Sequence, residues 1–379
     1  MERVPEIDGL RALAALSVFA HHVFGFPAIV RITGAAWIGV DLFFVISGYL
    51  ITTILLGMRD NPHYFRNFYI RRTLRIFPPY YALFILCLVY ALFDRSYHFS
   101  GRLWAAYALY GTSLIVVRPW YFGAVSRLPG PSRGLEVTWS LSIEELFYIL
   151  WAPAVRFLKK RQLEILVCSI ILLAPVVRWY VHSAGNRTEY LFFPARMDTL
   201  AFGALLALVG DRFPVSLPGW TVIVGLVSSA SMLLLIADPE TNRWFAIFGY
   251  SVIAASMALV LAFVLQHAGG NHPLCRVLRS SLLVRLGMIS YMFYLLHLFV
   301  IKSFREVFAN LLVSHWALNR ILQLTGSFAV TVLLASLSWK YFESPILRLK
   351  ERFGTSGASP LLLSPPVDRL ETAVSERPA

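Results

Sequence analysis

Ionisable side chains inside apolar runs mark where this chain could do chemistry. Asp8, Arg11, His21 and His22 lie in DGLRALAALSVFAHHVFGF, and Asp41 lies in WIGVDLFFVISG. A charge in hydrocarbon costs roughly 2.5–3.5 kcal/mol on insertion scales, so such groups turn toward a bundle interior or a water-filled cavity. On a helix advancing about 100° per residue, Arg11 and His22 differ by about 20° in azimuth. At about 1.5 Å per residue they stand about 16 Å apart along the axis. Asp8 falls about 40° from His22, and His21 points about 100° away. One face therefore presents Asp8, Arg11, Ala15, Val18 and His22: charge near one end, a floor of small residues, an imidazole at depth. That is one wall of a polar cavity, and histidine is the usual general base near neutral pH. The plain alternative is that Arg11 snorkels to an interface and the histidines mark where the helix leaves the membrane.

Other stretches carry groups of the same kind. In RNFYIRRTLRIFPPYY, Arg71, Arg72 and Arg75 cluster before Pro78 and Pro79 at the entrance of a helix. A fork of guanidiniums suits phosphate. Taken alone, the segment reads more simply as a positive-inside anchor touching anionic lipid. In TWSLSIEELFY, Glu144 and Glu145 enter an apolar span, Glu144 on one face with Ser140 and with Phe147 or Tyr148. A first-turn carboxylate is also simply stabilised by the helix dipole. In FPARMDTLAFGA, Arg196 and Asp198 sit in an apolar run, where buried pairing with other groups is expected, to line a site or be structural. His297 in SYMFYLLHLF is either a lining residue or a core histidine, and Glu343 reads as structural.

The elements that position these groups must be helices in lipid. Of the 379 residues, 58% are hydrophobic and 15% charged, with a mean hydropathy of +0.65. A soluble chain is near 25% charged. Backbone groups in lipid need internal partners, and the apolar runs do not alternate, so an all-α polytopic bundle is expected rather than a β-barrel. Ten spans are expected, over about 8–28, 36–57, 75–93, 137–157, 163–182, 190–209, 218–237, 244–266, 283–304 and 320–342. Residues 103–117 are apolar but short, as in a re-entrant or interfacial segment. The first span holds Arg11 and two histidines and lacks a small-residue cleavage pattern, so it reads as a retained helix and not as a signal peptide.

The net charge of +13 reflects basic cytoplasmic loops and not nucleic acid, since no soluble basic run is interleaved with aromatics. Arg59, Arg66, Arg71, Arg72 and Arg75, then Arg156, Lys159, Lys160 and Arg161, then Arg276, Arg279 and Arg285, then Arg348, Lys350 and Arg352 fall on one side under ten spans. Both termini are then cytoplasmic, in a cell inner membrane. Residues 94–136 run against this, with Arg95, Arg102, Arg118, Arg127 and Arg133 outside; these arginines either bind an acidic or hydroxyl-rich acceptor or coat the loop. Residues 1–346 read as one membrane domain and 347–379 as a disordered cytoplasmic tail. Cys87, Cys168 and Cys275 lack metal-type spacing, so neither a metal site nor a disulfide framework is expected.

Taken together these segments resemble the acyltransferase-3 family of integral membrane O-acyltransferases. The likeness rests on Asp8-Gly9-Leu10-Arg11, on His22 after Arg11, and on GVDLFFVISGYLI, RR-x-x-RIFPPYY, TWSLSIEELFY, ARMDTLAFGALLA, SYMFYLLH and YFESP, in order over about 4–346. The resemblance implies transfer of an acyl group, commonly acetyl from acetyl-CoA, to a hydroxyl of a glycan or glycosylated molecule, with a cytosolic donor and an extracytoplasmic acceptor. It implies that Arg11 and His22 are the essential arginine–histidine pair, that Arg71, Arg72 and Arg75 are the cytoplasmic arginine motif, and that Glu144 is the acidic position. It implies a stand-alone form lacking the esterase-like domain of some members, with no bound cofactor and acyl-CoA as co-substrate.

His22 then removes the hydroxyl proton, an effect typically worth about 10²–10⁴-fold. Asp41 could orient its imidazole. The arginines would hold the CoA phosphates or the developing oxyanion. Asp8, His21, Ser47, Trp139, Ser140, Arg196, Asp198 and His297 would line the cavity. An acyl-histidine relay is a second mechanism. Intramembrane Arg, His and Asp also build proton-coupled transporters, and a glycan-binding or assembly subunit is a third reading.

Overall fold

The computed structural model describes residues 4–24, 35–94, 100–185, 188–210, 217–235, 242–309 and 316–349. Helix α1 (Pro5–Phe24) has Glu6 and Asp8 in its first turn and His21 and His22 in its last, an order that suits the helix dipole at both ends. A 3₁₀ turn (Ala35–Ile38) leads into α2 (Gly39–Gly57). Helix α3 (Tyr64–Phe93) is followed by three short helices, α4 (Gly101–Ala108), α5 (Thr112–Ile115) and α6 (Trp120–Val125). A 3₁₀ segment (Pro131–Thr138) enters α7 (Trp139–Phe157); α8 (Lys160–Ser183), α9 (Phe193–Val209) and α10 (Trp220–Leu235) follow. A π-helical turn (Phe245–Gly249) opens α11 (Tyr250–Gln266). Then come α12 (Pro273–Leu278), α13 (Ser281–Met288), α14 (Ser290–Ala309) and α15 (Trp316–Ser338). A second π turn (Trp339–Glu343) leads to α16 (Ser344–Arg348). No strand occurs among the described residues.

The all-α membrane class agrees with the sequence, but the count of ten spans does not. Among the described residues five helices are long and apolar enough to cross a membrane: 36–57, 64–93, 160–183, 245–266 and 321–348. The pair 281–288 and 290–308, bent by 72°, makes a sixth if it is one span. The segments expected at 8–28, 137–157 and 190–209 are helical over 8–24, 137–157 and 193–209 but too polar or too short. Helix α1 carries Glu6, Asp8 and Arg11, α7 carries Glu144, Glu145 and Arg156, and α9 is 17 residues long with Arg196 and Asp198. The segment expected at 218–237 is helical over 16 described residues, a length under that of a span. Most of the expected tail, 350–379, lies outside the described residues, as do the last residues of the expected first span.

Helix α3 begins eleven residues before the expected start, because the polar RNFYIRRTLR stretch continues the apolar helix. Its 30 residues enclose Pro78 and Pro79. Each proline removes the N–H that would reach the carbonyl four residues back. Arg71, Arg72 and Arg75 thus lie inside a long helix and not at its entrance. Helices α4 and α5, at 8 and 4 residues, are too short to span.

Helix α2 is central, packed on α1, α7, α9 and α11. It runs back along α1, with Gly39 beside Ala14 and Ser17. Its contact with α9 is made backbone to backbone: a Cβ at Gly48 would strike the Leu200 carbonyl, and one at Gly203 the Val45 carbonyl. Small residues at such a crossing let helices in lipid approach closely, and here they set Asp41 against Arg196.

The two ends of the bundle differ. At the end where α1 begins, Glu6 accepts from the Gly269 N–H (2.9 Å) and meets Arg279 Nε at 3.4 Å. Arg59 donates to the Leu158 carbonyl (2.5 Å) and Arg156 to the Arg59 carbonyl (2.6 Å). At the other end Arg305 donates to the His22 carbonyl (2.8 Å), and Lys302 pairs with Glu136 at 3.0 Å. Arg133 caps its own loop there, donating to Ser126 and Leu128 carbonyls.

Candidate active site

The arginine end is assembled from α1, α2, α3 and α7. Arg11 reaches Asp8 at 3.9 Å, one helical turn away. The Arg72 guanidinium lies over the Tyr148 ring, 4.7 Å from its centroid. The Tyr148 hydroxyl donates to Glu144 (2.8 Å) and also bonds to Ser47. Glu144 feels the charges of Arg72, Arg11 and Arg75, and Arg75 those of Arg11, Arg72, Glu343 and Asp8. Arg11, Ser47, Arg72, Arg75 and Glu144 all keep some solvent exposure, so this cationic group is open to a ligand. Arg71 is not drawn into it; among the described residues no charged group pairs with Arg71. The neighbouring carboxylate is Glu145, partly exposed like Glu144.

The histidine end lies eleven residues further along α1. His22 Nδ1 is 2.9 Å from the Val18 carbonyl and 3.3 Å from His297 Nε2. His297 Nδ1 is 2.5 Å from the Tyr294 carbonyl. A carbonyl oxygen only accepts, so each Nδ1 carries the proton and each Nε2 the lone pair. His22 therefore offers Nε2 as a proton acceptor, and it hydrogen-bonds to nothing among the described residues. His22 is partly exposed while His297 is 1% exposed. His21 is turned edge-on to His22, ring centroids 5.0 Å apart.

Polar groups join the two ends. Ser140, Glu144 and Tyr148 repeat every fourth residue and so share one face of α7. Ser140 Oγ meets the Tyr294 hydroxyl at 2.7 Å, and Tyr294 lies one turn before His297 on α14. The face expected on α1 is thus matched by a polar face on α7 and one on α14.

A third group is sealed. Arg196, Asp41, Asp198 and Arg178 are each 0% exposed. Arg196 donates to Asp41, and its guanidinium lies over the rings of Tyr250 (4.6 Å) and Tyr190 (5.1 Å). Arg178 pairs with Asp198 at 2.9 Å and also donates to the Ala195 and Ile247 carbonyls. Ser251 donates to Asp198 at 2.6 Å. This corrects two expectations. Asp41 does not orient His22, because its carboxylate is taken by Arg196, and the group that meets the imidazole is His297. Arg196 and Asp198 do not line open space, because buried charges are held by pairing. Trp139, 9% exposed, is packing too, against Phe44 and Tyr190.

Sequence reasoning passed over Arg178 and Tyr294. Arg178 could have been found as an arginine within an apolar run; Tyr294 carries no such signal. Among the described residues no group of three or more His, Cys, Asp or Glu is placed to hold a metal ion.

Comparison with known proteins places the chain in a family. The sequence profile described as "Acyltransferase domain", of the acyltransferase-3 group, matches residues 4–340. The chain is 30% identical over 370 residues to the peptidoglycan O-acetyltransferase OatA of Listeria monocytogenes, covering 90% of this chain and 56% of that protein. It is 30% identical to the putative peptidoglycan O-acetyltransferase YrhL of Bacillus subtilis, covering 90% of this chain and 55% of that one. A putative O-acetyltransferase of Staphylococcus aureus is 26% identical, with 91% and 57% covered. The chain thus spans just over half the length of these relatives. No solved structure matches it.

Proposed function

Because this chain belongs to the acyltransferase-3 family, we propose that it is a membrane O-acyltransferase moving acetyl from acetyl-CoA to a glycan hydroxyl. The acceptor class is a cell-envelope glycan, and peptidoglycan is the acceptor named in the two relatives at 30% identity. One observation carries the reading: a partly exposed cluster of Arg11, Arg72 and Arg75 stands about 16 Å along α1 from an imidazole whose free lone pair is on Nε2. The extended pantetheine arm of CoA suits that separation, with phosphates at the arginines and thioester at the histidine. Guanidiniums bind phosphate through charge-assisted, often bidentate hydrogen bonds. His22 Nε2 takes the hydroxyl proton as the oxygen attacks the thioester carbon, and the protonated ring can return that proton to the leaving thiolate. Glu144 and Tyr148 hold Arg72 and Arg11 toward the donor. Residues 1–346 are the catalytic membrane domain, and the tail from 347 is cytoplasmic.

The orientation follows the positive-inside pattern. Arg59, Arg156, Arg279 and the basic residues beside them gather at the end where α1 starts, which supports both termini and the arginine cluster on the cytoplasmic side of the inner membrane. The histidine end then faces the acceptor.

Sealed inside-out vesicles test this. Labelled acetyl-CoA is added outside and glycan strands are enclosed. Label is expected in an alkali-labile ester on the enclosed glycan, at the expense of thioester. Glycan movement without thioester consumption would instead support a proton-coupled transporter, and neither event would overturn both readings.

A further inference from the structure

Resting on the assignment of His22 as base, we infer that His297 is its positioning residue, holding the ring in the one tautomer that can accept a proton from substrate. The two histidines are 275 residues apart in sequence and come together because α1 and α14 pack along each other. Two backbone carbonyls fix the order of donors and acceptors. Tyr294 O, at 2.5 Å from His297 Nδ1, forces the proton of His297 onto Nδ1. His297 Nε2 is then an acceptor only. The group it faces, 3.3 Å away, is His22 Nδ1. Val18 O at 2.9 Å accepts from the same Nδ1, but that carbonyl also stands four residues before His22 in α1 and serves the helix ladder. His297 is the acceptor with no competing donor, and its ring lies 5.0 Å from that of His22 at 62°.

The arrangement has the form of an orienting group behind a base, with a neutral imidazole where many enzymes place a carboxylate. Burial makes it rigid: His297 is 1% exposed and Tyr294 is 7% exposed, with the Tyr294 hydroxyl tied to Ser140 at 2.7 Å. When His22 takes a proton on Nε2 its Nδ1–H stays between the Val18 carbonyl and the His297 lone pair, so the imidazolium is bonded as it forms. The charged groups facing the pair are Lys302 and Arg305 on α14, Arg305 donating to the His22 carbonyl, and, beyond Lys302, Glu136 in the 3₁₀ segment. None of them is hydrogen-bonded to the His22 ring.

The test uses full-length protein in detergent with four forms: wild type, His22→Ala, His297→Ala and His297→Gln. Glutamine keeps an acceptor oxygen toward His22 but cannot titrate. His297→Ala is expected to lower kcat by about 10–100-fold with KM for both substrates unchanged, the share of an oriented over an unoriented base. His297→Gln is expected to recover most of that loss. Nitrogen-15 spectra of histidine-labelled protein, with His22 identified by its absence in His22→Ala, supply a readout that needs no acceptor. Nε2 of His22 should resonate as an unprotonated nitrogen in wild type and His297→Gln, and as a mixture of tautomers in His297→Ala. Equal kcat in all His297 forms beside an inactive His22→Ala would overturn the inference and leave the base assignment standing. Full turnover by His22→Ala would remove the base assignment itself. A proton on Nε2 of His22 in wild type would overturn the inference whatever the kinetics.

Discussion

Replacing Asp41 by alanine would leave the Arg196 guanidinium sealed without its carboxylate. Both side chains are 0% exposed, and Arg196 Nε and Nη1 already lack partners among the described residues. The nearby carboxylate, Asp198, is engaged by Arg178 and Ser251. Removing one partner of a buried pair costs about 3–5 kcal/mol, because an uncompensated charge stays behind, whereas replacing both by well-packed apolar residues is often neutral. Asp41→Ala should therefore weaken folding by more than about a hundredfold. Asp41→Leu combined with Arg196→Met should recover most of the loss. The assay is unfolding of the detergent-solubilised protein followed by tryptophan fluorescence, with acetyl transfer measured on each folded form. If Asp41→Ala keeps the wild-type midpoint and loses transfer, the carboxylate acts in the chemistry and its placement as a structural counter-ion is refuted.

Two further outcomes follow from the geometry. Arg75→Ala should raise KM for the acyl donor about tenfold, the worth of one charged hydrogen bond, while Arg71→Ala should change it by less than about twofold, since Arg71 stands outside the cluster; initial rates against donor concentration measure both. Gly203→Val drives a side chain into the Val45 carbonyl, and overpacking typically costs about 1–3 kcal/mol, so its thermal midpoint should fall while a valine at Gly57, where nothing is near, should leave it in place.

The sequence was legible where physics is local. Helix periodicity alone put Arg11 and His22 on one face, and a repeat of four put Ser140, Glu144 and Tyr148 together. Long-range pairing was not legible. Asp41 and Arg196 lie 155 residues apart, and nothing in either segment says that Gly48 and Gly203 bring them into contact. The neighbour of His22 was hidden for the same reason: His297 carries no mark that separates a core histidine from one that meets another imidazole. Span counting failed because hydropathy sums over a segment and cannot see direction. Helices α1, α7 and α9 carry charges that the fold turns inward, so they are helical without being apolar. Helix α3 shows the reverse, a polar first third that continues an apolar helix.

The most direct measurement compares initial rates of label transfer from acetyl-CoA to glycan for wild type, His22→Ala and His21→Ala. His22 shares its face with Arg11, and its Nε2 carries the free lone pair that the proposed base needs; His21 points elsewhere. Loss of about 10²–10⁴-fold in His22→Ala, with His21→Ala within a few-fold of wild type, is the predicted result. Undiminished transfer by His22→Ala would contradict it.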